Sequence, residues 1–241
     1  MPLEAVIFDV DGTLVDSERH GHLAACNRAF EELDLGFQWS WNEFRQMLVI
    51  PGNGARLRHY LKTRLAFADD RIESIIQRFL PLKQRIYNEE LVKTLPLRPG
   101  VRLLIDSIIR RGLRLAIVST SHESQIRALL QHHFADIMDR FDPVLGKESG
   151  IKVGEEGWLY SRCLQEMRLP AENVIAIEDS RAGMEAALKA GLPVLVVRNE
   201  VTWNEDFSGA DRVEDQFAGL SVRDLEAIVA ERSSQAMNKP I

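Results

Sequence analysis

The chain alternates between two hydrophobic periods, and this alternation limits the possible folds more than any other feature. Short continuous apolar runs, rich in β-branched residues, stand at Ala5–Phe8, Leu113–Val118, Val174–Ile177 and Val194–Val197. Stretches with helical spacing lie between them, at Val101–Arg111, Ser124–His133, Trp158–Met167 and Ala182–Ala190. A strand that is apolar on both faces must be covered on both, so the pattern predicts an α/β fold: a doubly wound parallel sheet between helices. Gly112, Gly191 and Pro193 mark helix-to-strand turns, and Pro99 and Gly100 open the helix before the second strand.

Residues 18–95 break the rhythm. Leu23, Cys26, Phe30 and Leu33 form one helix face, Leu57, Tyr60, Leu61 and Leu65 a second, and Ile72, Ile75, Ile76 and Phe79 a third. Leu82–Val92 reads as a further helix, and no strand run appears. The expected organisation is a core domain of residues 1–17 and 96–241 with a helical domain, 18–95, inserted after the first strand. At an average of about 150 residues per domain, the length of 241 residues allows one large domain or two modest ones.

A formal net charge of −6 disfavours a nucleic-acid or anionic-membrane partner, each of which selects a basic surface. No apolar run reaches the ~20 residues that span a bilayer, and Met1–Phe8 has neither the cationic lead nor the cleavage site of a secretory signal. The two cysteines, Cys26 and Cys163, cannot build a disulfide framework or a zinc site. The expected setting is the reducing cytoplasm.

Chemistry-bearing residues gather at the ends of the predicted strands. Asp9-Val10-Asp11-Gly12-Thr13 follows the first, and the carboxyl ends of parallel strands face the ligand crevice. Taken alone, this is also what a polar turn looks like. A calcium loop is excluded, because the twelfth position counted from Asp9 is His20 rather than Glu. The second strand ends in Ser119-Thr120-Ser121 at a helix start, which suits either an anion or simple capping. The third ends in Glu178-Asp179-Ser180, where the acids also favour a helix dipole. Three such ends at one sheet edge carry the argument. Clustered carboxylates repel one another unless a cation joins them, and oxygen-only ligands suit Mg²⁺ with a phosphate.

These motifs resemble the haloacid dehalogenase superfamily: Phe8-Asp9-Val10-Asp11-Gly12-Thr13-Leu14, the Ser119 strand end and Ile177-Glu178-Asp179-Ser180-Arg181-Ala182-Gly183. The insert is similar to that of the branch holding sugar-phosphate phosphatases and β-phosphoglucomutase. Asp16-Ser17-Glu18-Arg19 with Gly21-His22, Leu97-Arg98-Pro99-Gly100-Val101 and Phe207-Ser208-Gly209-Ala210-Asp211 resemble CbbY-type proteins. The resemblance implies a Rossmann-like core with a helical cap, and a monomeric Mg²⁺-dependent phosphatase of small phosphorylated sugars, bisphosphates included. It implies Asp9 as the nucleophile that forms an aspartyl-phosphate, and Asp11 as general acid and then base. Asp9, the backbone carbonyl of Asp11, and Asp179 with Glu178 close by would hold the metal. Ser119 and the backbone N–H groups after it, with Thr120, would bind phosphate oxygens.

The family pattern also places a lysine shortly before the last motif, in a proline-containing context that this chain lacks. Lys152 is the expected residue, with Lys147 in reserve and a solvated surface lysine as the plain alternative. Arg56, after the glycine-rich Gly52-Asn53-Gly54 turn, is either a substrate contact or an ordinary loop arginine. Trp39, Trp41, Trp158 and Trp203 are expected in cores or interfaces. Two alternatives to the phosphatase remain at this stage. One is a phosphomutase, which would use a histidine where this chain has Gly21. The other is a non-catalytic module that binds a phosphorylated metabolite.

Overall fold

The computed structural model describes residues 2–50, 52–92, 95–154 and 158–237. The chain divides into two compact units, Met1–Asp16 with Pro96–Ile241 and Ser17–Leu95.

The larger unit is built on strands β1 (Ala5–Phe8), β2 (Arg114–Val118), β3 (Phe141–Leu145), β4 (Val174–Glu178), β5 (Val194–Val197) and β6 (Arg212–Glu214), all parallel, in the order β3-β2-β1-β4-β5-β6. β1, β4 and β5 are buried at every residue, which explains their unbroken apolar sequences. The order reverses between β1 and β4, so the crevice beyond their carboxyl ends is the topological switch point where doubly wound sheets take ligands. Register fixes what meets there. Phe8 pairs with Ile117 on one side and Ile177 on the other, so Asp9 comes level with Val118 and Glu178.

β3 and β6 are absent from the sequence reading. Each lies at an edge and is only partly buried, so neither shows a continuous apolar run. β3 also carries Asp142 and Pro143, residues that elsewhere signal a turn; an edge strand tolerates a proline because one side needs no ladder bond. Glu178 is the last residue of β4 rather than the first beyond it.

The smaller unit is helical throughout its described residues, in agreement with the absence of strand runs. It contains a π-helical turn at Glu18–Leu23, then α1 (Ala24–Glu32), α2 (Trp41–Gln46), α3 (Asn53–Thr63) and α4 (Asp69–Ile86), and a second π-helical turn at Tyr87–Leu91. Phe30 is central, stacked on Phe79 at 5.3 Å and edge-on to Trp39 at 4.7 Å. One expectation is corrected here, and one element had not been read. The separate helix at Leu82–Val92 is the continuation of α4, which runs through Pro81 because the buried face of Ile72, Ile76, Phe79, Lys83 and Ile86 is unbroken across it. α2 went unread because six residues are too few to show a period, although a capping box between Ser40 and Glu43 marks its start.

In the larger unit, the helices are α5 (Val101–Arg110), α6 (Glu123–His133), α7 (Trp158–Met167), α8 (Arg181–Lys189) and α9 (Val222–Met237). Trp39 is buried as expected, whereas Trp158 and Trp203 are about half exposed and belong to no core. No described helix is long and apolar enough to cross a membrane.

Candidate active site

β1 delivers Asp9 into the crevice and is followed by a tight turn in which Gly12 has φ +84°. A Cβ at Gly12 would lie 2.2 Å from Asp179 Oδ2 and 2.7 Å from Asn199 Nδ2, so only glycine allows the turn to approach these groups. Gly183, in the first turn of α8, leaves similar space: a Cβ there would lie 2.2–2.3 Å from the Glu178 carboxylate. Asp9, Glu178 and Asp179 are all buried, and one carboxylate oxygen from each lies within 4.8 Å of the others.

Lys152 is the lysine that reaches these acids. Its buried Nζ lies 2.5 Å from Asp9 Oδ1 and 2.6 Å from Glu178 Oε1. Lys147 is exposed at the surface. One cation thus stands among three buried carboxyl groups, and the electrostatics reflect the deficit. Burial, joined by repulsion from Glu178, pushes Asp9 up to about 7 even though Lys152 opposes the shift. Burial and the charges of Asp9 and Glu178 hold Asp179 well above the usual carboxylate range. Burial would lower the Lys152 ammonium, but the two carboxylates outweigh it and keep the group charged.

A second cation would answer this deficit. The donor set is entirely carboxylate oxygen, it is pre-gathered, and its two nearest glycines leave no side chain in the way. Hard oxygen donors of this kind fit Mg²⁺.

Asp11 is turned elsewhere. Its carboxylate Oδ2 accepts a hydrogen bond from the Ser121 hydroxyl, and its side chain is not part of the three-acid group. Ser119 is fully buried at the end of β2, where its Oγ accepts from the Ser121 N–H at 3.1 Å; Thr120 is exposed. Arg56 belongs to the helical unit, and its guanidinium donates to the carbonyls of Met47 (3.2 Å) and Ile50 (2.9 Å) and to Asn53 Oδ1 (3.0 Å). It stands in the first turn of α3 rather than in a loop, and is fastened to that turn and to the segment just before it.

Four participants had no site role in the sequence reading, although Ser121 and Arg98 stood within its motifs. Ser121 holds Asp11, as noted. Tyr160 donates its phenolic hydrogen to Glu178 Oε1 at 2.5 Å, and burial followed by the Glu178 charge keeps that phenol protonated. Asn199 donates to Asp179 Oδ2 at 2.6 Å and to the Gly12 carbonyl at 3.2 Å. Arg98 donates to the carbonyls of Gly12 (2.7 Å), Val197 (2.9 Å) and Arg198 (2.5 Å), bracing the end of β5 against the turn after β1. A signal for Asn199 existed: it lies two residues beyond the apolar run Val194–Val197, at the same sheet edge as the other motifs.

Comparison with known proteins identifies the family. The profile of the haloacid dehalogenase-like hydrolases matches residues 3–191. Protein CbbY of Cereibacter sphaeroides is 33% identical over 95% of this chain and 100% of its own length. A phosphorylated carbohydrates phosphatase of Thermotoga maritima is 27% identical over 79% of this chain and 82% of its own. A crystal structure of a CbbY mutant from Rhodobacter sphaeroides in complex with xylulose-(1,5)bisphosphate superimposes with a TM-score of 0.70 and 32% identity, covering 90% of this chain and 96% of that one. With a profile match over most of its length and a relative one-third identical across nearly all of it, this chain belongs to the haloacid dehalogenase-like hydrolase family, as a phosphatase-type enzyme of the CbbY-like branch.

Proposed function

We propose that the chain is a Mg²⁺-dependent phosphatase that hydrolyses a small phosphorylated sugar, bisphosphates included, through an aspartyl-phosphate on Asp9. The observation that carries this reading is the meeting of Asp9, Lys152 and the adjacent pair Glu178 and Asp179, which come from three separate segments, in one buried crevice. The bisphosphate bound to the Rhodobacter CbbY mutant and the name of the Thermotoga relative support the substrate class.

A carboxylate oxygen of Asp9 attacks phosphorus while the bond from phosphorus to the sugar oxygen breaks, and Asp11 gives its proton to that leaving oxygen. A water then attacks the phosphorus and returns a proton to Asp11; inorganic phosphate leaves and Asp9 is restored. Asp9, Asp179 and Glu178 would hold Mg²⁺, with the Asp11 carbonyl beside them, and the bound ion supplies charge that offsets both phosphate and nucleophile. Lys152 stays charged beside Asp9 and is ready to donate to a phosphoryl oxygen. Ser119, Thr120 and the N–H groups at the start of α6 supply further donors at the same sheet edge. The Ser121 hydroxyl on Asp11 supports its placement as the proton carrier.

Position 21 supports water, rather than a second sugar hydroxyl, as acceptor. A Cβ on the buried Gly21 would lie 2.8 Å from Tyr87 Cε2 and 3.3 Å from Leu95 Cδ1, leaving no room there for a mutase-type histidine. Arg56, if released from the carbonyls it holds, is the candidate grip for a second phosphate. Two buried, unbridged cysteines support a reducing, cytoplasmic setting, and we read the enzyme as a monomer, which light scattering would check.

The test is free-phosphate release from a panel of sugar mono- and bisphosphates, with and without Mg²⁺, beside an Asp9→Asn control. Metal-dependent release that disappears in the variant is expected. Isomerised sugar phosphate with little free phosphate would establish the mutase instead, and binding without turnover would establish the non-catalytic module.

A further inference from the structure

The contacts of Asn199 form a chain of constraint that ends on the metal site, and this inference rests on the metal reading above. Asn199 follows β5 and opens a tight turn. Its Oδ1 accepts the backbone N–H groups of Val201 (2.8 Å) and Thr202 (3.1 Å), while its own N–H donates to Thr202 Oγ1 at 3.3 Å. These bonds determine which way the amide faces. With two backbone donors on Oδ1, the NH₂ group must point to the opposite side, where it meets two acceptors: Asp179 Oδ2 at 2.6 Å and the Gly12 carbonyl at 3.2 Å. The reverse orientation would set oxygen against oxygen on one side and N–H against N–H on the other.

Asp179 sits in repulsive surroundings. Its carboxylate lies within 4.8 Å of those of Asp9 and Glu178, while Lys152 makes its ion pairs with those two and not with Asp179. Without a fixed donor, electrostatics would turn the Asp179 side chain away from its neighbours whenever the cation is absent. We propose that Asn199 is a positioning residue that holds Asp179 facing Asp9, so that the site is already assembled when Mg²⁺ arrives. The same amide, through the Gly12 carbonyl, ties the turn that carries Asp9 and Asp11 to the end of β4. Groups that orient a metal-binding carboxylate in this way typically account for 10- to 100-fold in metal affinity.

Asn199→Ser separates the two jobs of the side chain. A serine hydroxyl can still accept from the N–H groups two and three residues on, keeping the turn, but it is too short to reach Asp179. Asn199→Leu removes both. Mg²⁺ binding to the whole protein is measured by titration calorimetry, together with the melting midpoint of the metal-free protein. The expected result is a Mg²⁺ dissociation constant about 10- to 100-fold weaker in Asn199→Ser than in wild type, with a smaller thermal shift on adding Mg²⁺. A purely structural role would lower the metal-free midpoint and leave the affinity where it was. An affinity within about threefold of wild type in Asn199→Ser overturns the proposal, whether or not Asn199→Leu folds. Failure of the wild type itself to bind Mg²⁺ would overturn the metal reading as well, so the two failures are distinguishable.

Discussion

Replacing Lys152 with methionine would remove the single ammonium that lies between two buried carboxylates while keeping most of the stem that fills its channel. The ammonium stands 2.5 Å from Asp9 and 2.6 Å from Glu178, with side-chain exposures of 4% for the lysine and 7% and 1% for the acids. At an effective dielectric of about 20, each pair is attracted by roughly 6–7 kcal/mol. Most of that is offset by the several kcal/mol needed to bury each ion. Losing one partner leaves the others uncompensated, at a typical cost of about 3–5 kcal/mol. The cost should depend on pH. In the native protein Asp9 already sits at about 7, against 3.8 for an unperturbed aspartate, and loss of the lysine raises that carboxyl further. A raised carboxyl binds protons in the folded state that the unfolded chain has released, so its penalty grows as pH rises towards 8 and fades as pH falls towards 5. Urea denaturation in EDTA, at pH 8 and pH 5, measures the difference between variant and wild type. We expect a loss of about 3–5 kcal/mol at pH 8 that is smaller by about 1 kcal/mol at pH 5. A loss of equal size at both pH values, or none at either, would refute the reasoning.

Gly183→Ala should push the Glu178 carboxylate off its contacts with Lys152 and Tyr160, because the new Cβ would lie 2.2 Å from Oε2. Disturbing these buried bonds is expected to cost about 2–4 kcal/mol in urea denaturation. Net stabilisation by the ~1 kcal/mol that alanine normally brings to a helix would show that the approach is not tight. The Mg²⁺-induced rise in melting temperature should grow from pH 5 to pH 8. The proton on Asp9, whose folded value is about 7, must leave before the cation binds, so protons compete with the metal below that value. A thermal shift that is flat across this range, or larger at pH 5, would contradict the position assigned to Asp9.

Much of the enzyme was legible in one dimension because its central elements are locally encoded. β1, β4 and β5 are buried on both faces, so each appears as an uninterrupted apolar run, and each ends where its polar residues begin. The edges were not legible: β3 and β6 are half exposed, and Asp142 and Pro143 in β3 carry the composition of a loop. Pro81 likewise looks like a helix boundary until the continuous buried face of α4 is seen on both sides of it.

The site divides along the same line. The residue types were present in the local motifs, and those types already called for a hard divalent cation and a phosphate. Which groups meet was decided by the sheet. Lys152 and Asp9 are 143 positions apart, Asn199 and Gly12 are 187 apart, and Ser121 and Asp11 are 110 apart. No periodicity reaches over such distances. Parallel pairing of β1 with β2 and β4, in one register, brings the ends of these strands level. The sequence by itself therefore determined the central elements and the kinds of ligand atom, because both follow from neighbouring residues. Tertiary packing alone decided that Lys152 and not Lys147 enters the acids, that Asn199 and Tyr160 hold them and that Arg98 braces the turn beside them, because those contacts exist only once the sheet has aligned segments that the chain keeps apart.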